Sequence, residues 1–259
     1  MKSNRREFLK LAAVSALGVG AARLGFLGDA PAFAADGLPT VADFEKGLKA
    51  KHWGMAVFSA KFTPELIEKC RTACHTEHNV PDIPGKKQIK WFWGASYHEA
   101  FPTEQGQFLS EEVEHREFPL LCNHCEEPMC VRVCPTQATF QRPDGIVMMD
   151  FHRCIGCRYC MAGCPFGARS FNFQDPRPFI HHFNPHYPTR MRGVVEKCDF
   201  CAERLAIGKM PACVEAAGGA LVFGDLGDDN SDIRKVLREH FAIRRKPDAG
   251  TSPSVYYIL

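Results

Sequence analysis

The chain has 259 residues, of which 45% are hydrophobic and 24% are charged, a composition typical of globular proteins and not of disordered chains. Its 32 basic and 30 acidic side chains nearly balance, and nothing in their distribution indicates a nucleic-acid-binding surface. The unusual feature is the 13 cysteines, which in a secreted chain would normally form disulfide bonds.

Residues 1–34 are predicted to be a twin-arginine (Tat) signal peptide. Arg5 and Arg6 precede an apolar, alanine-rich run at 11–22 that is too short to span a bilayer, and "AFA" at 32–34 is a small-x-small cleavage site. A basic surface helix, the alternative, does not explain this order of features. Cleavage leaves 27 basic and 28 acidic side chains. The signal resembles those that export folded, cofactor-loaded proteins, so we expect a periplasmic protein whose thiols already hold metal.

The rest of the chain is expected to contain short strands, short helices and ordered loops. Short apolar runs bounded by turn residues predict four strands, at Met55–Phe58, Phe118–Leu121, Ile146–Met149 and Ala220–Phe223. A helix is predicted to start near Asn230 or Ser231, with Asp232 in its first turn. Residues 75–117 and 165–196, rich in proline, histidine and aromatic residues, are interpreted as loops that wrap the core. Beyond the signal peptide no apolar stretch approaches the roughly 20 residues of a spanning helix.

A cysteine pattern occurs twice in complete form. "CNHCEEPMCVRVCP" carries Cys122, Cys125, Cys130 and Cys134, and "CIGCRYCMAGCP" carries Cys154, Cys157, Cys160 and Cys164. Each run ends in Cys-Pro, and the second is C-x2-C-x2-C-x3-C-P, the spacing of bacterial ferredoxins. Zinc ribbons use pairs of C-x2-C without a trailing Cys-Pro. The spacing therefore indicates cubane iron–sulfur clusters, and Gly156 suits the cramped turn of such a loop.

Two further copies of the pattern are incomplete. In "KCDFCAERLAIGKMPACVEAAGG" the fourth cysteine is replaced by Ala217. In "TPELIEKCRTACHTEHN" only the third and fourth positions are cysteines, and we interpret this segment as a degenerate cluster loop. In two-cluster ferredoxins the fourth cysteine of a run ligates the other cluster, so the incomplete runs are expected to exchange ligands as the complete ones do.

This exchange predicts three complete ligand sets, which we name by letter. Site A consists of Cys122, Cys125, Cys130 and Cys164. Site B consists of Cys154, Cys157, Cys160 and Cys134. Site C consists of Cys198, Cys201, Cys213 and Cys74. The remaining set is Pro64, Ile67, Cys70 and Ala217, so we expect three [4Fe–4S] clusters and one deleted site. Cys70 is left over, and burial as a small hydrophobic residue is the preferred interpretation over a reactive thiol.

From about Trp53 to its C-terminus the chain resembles the multi-cluster ferredoxin subunits of the dimethyl-sulfoxide-reductase iron–sulfur family. The pieces that carry the resemblance are "CNHCEEPMC", "CIGCRYCMAGCP" and "KCDFCAERL". It implies an α+β fold over residues 35–259, built as tandem bacterial-ferredoxin-like pseudo-repeats with short strands, short helices and long wrapping loops. Members usually hold four cubanes and carry electrons between a catalytic or haem subunit and a membrane quinone protein.

Within that family, the deleted cluster, "PACVEAAGGALVFGDL" and the tail "GTSPSVYYIL" are similar to the DsrO type of subunit. This resemblance implies a periplasmic protein, peripheral to the membrane, in a Dsr complex of dissimilatory sulfur metabolism. Its implied partners are an integral, quinone-interacting subunit of the NrfD type, a multihaem cytochrome c and the other Dsr subunits. The protein itself would have no membrane span and no nucleic-acid partner.

Other functions remain open at this point. The chain could serve a complex of the nitrite, tetrathionate, polysulfide or DMSO reductase type, or be a reductase with its own substrate at the deleted cluster site. A scaffold with vestigial metal is a third alternative. No nucleophile elbow, Walker loop or Rossmann fingerprint occurs, so we expect an electron carrier without catalytic residues.

A few residues outside the cysteine runs have predicted roles. His75 and His124, beside cluster cysteines, either tune reduction potentials or pack the loops. Residues 91–93, Trp-Phe-Trp, are expected in the core, with a cluster shield or docking patch as the alternative. Arg190 and Arg192 are predicted to lie on a docking surface, since arginine is enriched at interfaces.

Overall fold

The computed structural model describes residues 41–104 and 108–259, and the predicted signal peptide lies outside them. The helices are α1 (Val41–Glu45), α2 (Pro64–Glu77), α3 (Tyr97–Ala100), α4 (Glu111–His115), α5 (Met129–Arg132), α6 (Tyr159–Ala162), α7 (Ala202–Ala206), α8 (Ala212–Ala217) and α9 (Asp232–Glu239). The strands are β1 (Trp53–Phe58), β2 (Phe92–Ala95), β3 (Phe118–Leu121), β4 (Thr139–Gln141), β5 (Val147–Met149), β6 (Ser170–Phe171), β7 (Val195–Glu196), β8 (Leu221–Asp225), β9 (Ala242–Ile243) and β10 (Val255–Ile258). This mixture of short elements agrees with the predicted α+β class.

The largest sheet has the strand order β8-β1-β10-β9. β1 pairs with β10 in parallel, with Met55 opposite Val255, and with β8 antiparallel, with Met55 opposite Phe223. β1 is thus a central strand, and both of its faces are covered. Met55 faces the main core, whereas Ala56 packs against Ile233 of α9 on the other side. The remaining strands form three antiparallel pairs, β2–β3, β4–β5 and β6–β7.

All four predicted strands are present, as β1, β3, β5 and β8, with ends within two residues of the prediction. The predicted helix is α9, and its N-cap is Ser231, whose side chain accepts a hydrogen bond from the Arg234 N–H at 3.4 Å. Residues 75–117 contain more regular structure than the predicted loop, because α2 continues to Glu77 and β2, α3 and α4 follow. None of the helices in the described part is long and apolar enough to cross a membrane.

The segment interpreted as a degenerate cluster loop is instead a regular helix of 14 residues, α2. Thr63 caps it by accepting a hydrogen bond from the Leu66 N–H at 3.3 Å. Pro64 lies in the first turn, where backbone N–H groups have no partner within the helix, so the N–H that proline lacks costs no hydrogen bond. The prediction of a loop was wrong, because Thr-Pro at a helix start is a stronger local signal than two cysteines at positions inherited from a repeat.

Three of the four positions of the deleted ligand set are buried where α2 packs against α8, and the fourth, Pro64, is exposed. Ile67 and Cys70 of α2 and Ala217 of α8 are all buried in the main hydrophobic core. Apolar contacts therefore occupy the place where the sequence pattern predicts a lost cluster. Residues 91–93 are also buried, as expected for core residues.

Candidate metal centres

The C-x2-C turns that open the three cysteine runs, at Cys122, Cys154 and Cys198, share one backbone feature. The residue before the second cysteine has a positive φ in each turn, at His124 (40°), Gly156 (71°) and Phe200 (57°). This left-handed conformation is unfavourable for a residue with a Cβ. At Gly156 a side chain is also excluded sterically, because a Cβ would lie 2.4 Å from the Gly193 carbonyl oxygen. The same turn is thus imposed on three loops of different sequence.

Site A is brought together from three segments. Its first two cysteines follow β3, Cys130 lies on α5, and Cys164 follows α6. All four cysteines of the predicted set line one cavity, together with Arg169 and Thr251. Burial raises the pKa of Cys125 to about 12, although a hydrogen bond with Thr251 opposes the shift. Burial also raises the pKa of Cys164.

Site B, like site A, has one buried and three partly buried cysteines. The helix before Cys134, α5, packs on α6, which carries Cys160. Burial raises the pKa of Cys160, and the charge of Cys154 acts in the same direction, so these two thiols are neighbours. Burial disfavours the thiolate of Cys134, but hydrogen bonds from nearby backbone groups outweigh it and lower its pKa. For Cys134 and Cys157, membership of this site stays a prediction.

Site C joins α2 to the last cysteine run. Its four cysteines are all buried. Burial raises the pKa of Cys198 and of Cys213, and the charge of Cys74 contributes to both shifts, which places the distant cysteine beside this run. Backbone N–H groups point at two of the sulfurs, from Phe200 to Cys198 Sγ at 3.5 Å and from Ala212 to Cys201 Sγ at 3.4 Å.

A polar group beside site C has no counterpart in the sequence prediction. His78, only 1% exposed, lies one helical turn after Cys74 and its Nδ1 is 2.8 Å from the Cys74 carbonyl oxygen. Its Nε2 lies 2.8 Å from a Glu203 oxygen and 3.5 Å from an Asp199 oxygen. Burial lowers the pKa of His78, but the charges of Cys201 and Asp199 outweigh it and raise that pKa well above its usual value. Recognition of α2 as a helix would have revealed His78, since i and i+4 share a helix face.

His78, Cys201 and Glu203 present ligand atoms within 4.8 Å of one another, an arrangement that can also hold a single metal ion. This arrangement competes with site C for Cys201. The mutual proximity of the site C cysteines favours the cluster, because a mononuclear site would leave the other three thiols without a role.

Arg190 was predicted to lie on a docking surface, and this prediction was wrong. Its side chain is buried and forms an ion pair with the buried Glu196 at 2.7 Å. The Trp91 Nε1 donates to the same carboxylate at 2.9 Å, and Arg190 also donates to the Asn79 carbonyl oxygen at 2.7 Å. Arg192, by contrast, is exposed. A buried guanidinium requires a partner, and Glu196, six residues further on, supplies it.

Of the two histidines beside cluster cysteines, His124 is held by packing. His124 is buried, stacks on Phe200 with ring centroids 3.6 Å apart, and accepts a hydrogen bond at Nδ1 from the Val147 N–H. Burial lowers the pKa of His75 to about 3. Burial likewise lowers the pKa of His124 well below its usual value. Both side chains are therefore neutral at physiological pH, and a role in tuning potentials stays a prediction.

Cys70 has the properties of the buried hydrophobic residue that the sequence predicted. It is fully buried, and its Sγ donates to the Cys213 carbonyl oxygen at 3.5 Å. Burial raises its pKa to about 11, so it is protonated and unreactive at neutral pH.

The residues at sites A and C fit four-thiolate metal clusters. Four cysteines meet at each site, and burial alone would keep the most enclosed thiols protonated, whereas a bound metal ionises its thiol ligands. Site A also contains a donor suited to a cluster sulfur, because the Nε of Arg169 has no hydrogen-bond partner among the described residues. A cubane supplies one-electron transfer when bound at such sites.

Comparison with known proteins identifies a 4Fe–4S dicluster domain over residues 113–176, which covers both complete cysteine runs. The chain is 44% identical over 238 residues to the Hdr-like menaquinol oxidoreductase iron–sulfur subunit 1 of Archaeoglobus fulgidus, covering 82% of this chain and 85% of the relative. It is 34% identical to the iron–sulfur cluster-binding subunit of menaquinone reductase from Nitratidesulfovibrio vulgaris, covering 80% and 88%. It is 40% identical to a tetrathionate reductase subunit of Salmonella typhimurium, covering 74% and 66%.

Proposed function

Because the chain belongs to the family of iron–sulfur subunits of quinone-linked oxidoreductase complexes, we propose that it carries electrons through three [4Fe–4S] clusters, held at sites A, B and C. The similarity over most of the chain to relatives named for menaquinol and menaquinone is the observation that carries this proposal. The cysteines are the ligands, and no side chain is assigned a catalytic role.

The number of clusters is supported by the fate of the fourth ligand set. Three of its four positions are core residues in the contact between α2 and α8, namely Ile67, Cys70 and Ala217. The same packing argues against a reductase that binds its substrate at the deleted site.

The contacts between the sites support an order for electron transfer. Cys160 of site B interacts electrostatically with Cys130 of site A, and Cys198 of site C interacts with Cys122 of site A. We therefore place site A between the other two, so that partners dock beside site B and beside site C. Ile155 and Tyr159, next to the cysteines of site B, are 67% and 62% exposed and suit an apolar contact with a partner.

For the partners and the compartment we retain the predictions from the sequence. The protein would be periplasmic, exported by its twin-arginine signal, and peripheral to the membrane. It would be a subunit of the DsrO type in a Dsr complex of dissimilatory sulfur metabolism, where it would bind an integral, quinone-interacting subunit of the NrfD type and exchange electrons with a multihaem cytochrome c. The other reductase complexes remain the alternative, which the similarity to the tetrathionate reductase relative keeps open.

Iron and acid-labile sulfide of the anaerobically purified protein test the cluster number. We expect about twelve of each per chain, because each cubane holds about four, and about sixteen or about eight would contradict the proposal.

Purification from native membranes tests the partners. In a strain that lacks the integral subunit, the protein should leave the membrane fraction. If it still sediments with those membranes, attachment through this partner is wrong.

A further inference from the structure

Arg169 is a buried cation to which the proposed function gives no role. The residue is only 4% exposed. The guanidinium donates to Thr139 Oγ1 at 2.7 Å and lies 3.7 Å from Met149 Sδ. Both partners are neutral, and the Nε has no partner among the described residues. Burial of a charge without a compensating anion is strongly unfavourable, so a nearby negative group is expected.

The β4–β5 hairpin holds this guanidinium in place. Thr139 and Met149 are directly opposite each other in the register of the two strands. The Thr139 hydroxyl donates its proton to the Met148 carbonyl oxygen at 2.9 Å, so it presents lone pairs to Arg169. The arginine is thus positioned by an oriented acceptor on a rigid element, as a residue needed at a defined place would be.

The guanidinium lies between two metal sites. Arg169 lines the cavity of site A together with its cysteines. Its charge and a hydrogen-bonding interaction also favour the thiolate of Cys160 in site B. With clusters bound, the ionised cysteine sulfurs of sites A and B would be the anions that compensate this buried cation.

We propose that Arg169 is the shared counter-charge of sites A and B, and that it raises the reduction potentials at both sites together. A cubane with four thiolates is negative and becomes more negative on reduction, so a fixed positive charge favours the reduced form. Because one residue acts on both sites, their potentials shift in the same direction, and the difference between them changes little. This inference rests on the ligand sets of the proposed function.

Redox titration followed by EPR tests the proposal with three variants. Arg169→Gln removes the charge but keeps a hydrogen-bond donor, and Arg169→Lys keeps the charge. Arg177→Gln is the control, because Arg177 is exposed and paired with the partly exposed Asp175. The signal lost in Cys74→Ser identifies site C, which serves as an internal reference.

In Arg169→Gln we expect the clusters of sites A and B both to become at least tenfold harder to reduce, a shift of about 59 mV for a one-electron couple. Site C should not change, and Arg169→Lys and Arg177→Gln should both resemble the parent protein. The proposal would be overturned if the reduction potentials of sites A and B were unchanged in Arg169→Gln. It would also be overturned if these potentials fell equally in Arg169→Lys and Arg169→Gln. If Arg169→Gln loses clusters, retention in Arg169→Lys supports the counter-charge and loss in both variants overturns it. Iron content of the parent separates these outcomes from a wrong cluster count.

Discussion

Cys74 and Cys70 provide a matched test of ligand exchange across the chain. They lie one turn apart on the same helix, and both are buried in the main core. Replacement of either by serine therefore perturbs packing to a similar degree, and only the predicted metal role differs. Cys74→Ser removes one of the four thiolates of site C.

We expect Cys74→Ser to lose about four of twelve iron atoms, a third of the total, together with the EPR signal of site C. Cys70→Ser should keep all three clusters. Its hydroxyl retains the Cys213 carbonyl oxygen as acceptor, so the cost in unfolding free energy is about 1 kcal/mol.

Iron analysis and EPR of the dithionite-reduced proteins, both prepared anaerobically, give the comparison. Equal iron loss in the two variants would show that the helix tolerates neither change, and the exchange scheme would have no support. Iron loss in Cys70→Ser alone would show that Cys70, and not Cys74, is the distant ligand of site C.

Three further predictions concern other parts of the chain. Replacement of Arg5 and Arg6 by lysine keeps the charge but removes the twin-arginine signal, so precursor should accumulate in the cytoplasm; normal export in cell fractionation would refute the signal. Gly156→Ala should lower the melting temperature and the iron content at site B more than Gly167→Ala does, because both have positive φ but only the first meets a backbone oxygen. Left-handed strain alone costs about 1–2 kcal/mol, so equal effects would contradict this reason. Asp225 accepts three backbone N–H groups at 2.8 to 2.9 Å, which outweigh burial and lower its pKa. The stabilisation that the Asp225 carboxylate provides is present above the unfolded pKa of about 4 and is lost as pH falls through the folded pKa. Asp225→Asn should therefore lower the free energy of unfolding by about 1 kcal/mol at pH 7 and by little in acid. A loss that chemical denaturation shows to be independent of pH would contradict this prediction.

The cysteine sets could be proposed from the sequence because spacing within a loop determines which irons its thiols can reach. The strands could be predicted for a similar reason, since β1 and β8 are short apolar runs bounded by turn residues. The helix α2 was not recognised because Cys70 and Cys74 were assigned to a cluster-loop repeat. Thr63 and Pro64 nevertheless indicate a helix start, and the backbone that follows them is helical.

The charged core could not be predicted in the same way. From the sequence, Arg190 looks like a surface residue, because it is charged and lies in a proline-rich segment. Only the structure shows that it pairs with the buried Glu196. Arg169 follows the second cysteine run by five residues, and no local pattern indicates that a hairpin at residues 139–149 will hold it between two sites. Such contacts depend on which segments meet, and that is decided by the whole fold.

The central position of β1 has a consequence for the order of folding. Its neighbours on either side are β8 and β10, which come from the last part of the chain, and roughly 200 residues separate β1 from β10. Pairings of such high contact order form late, and β1 cannot acquire its β10 neighbour until residues 255–258 have been synthesised. A chain that ends before residue 255 would leave β1 with an open edge, which is a site for aggregation. The synthesis of residues 255–258 is thus the earliest moment at which this sheet can close.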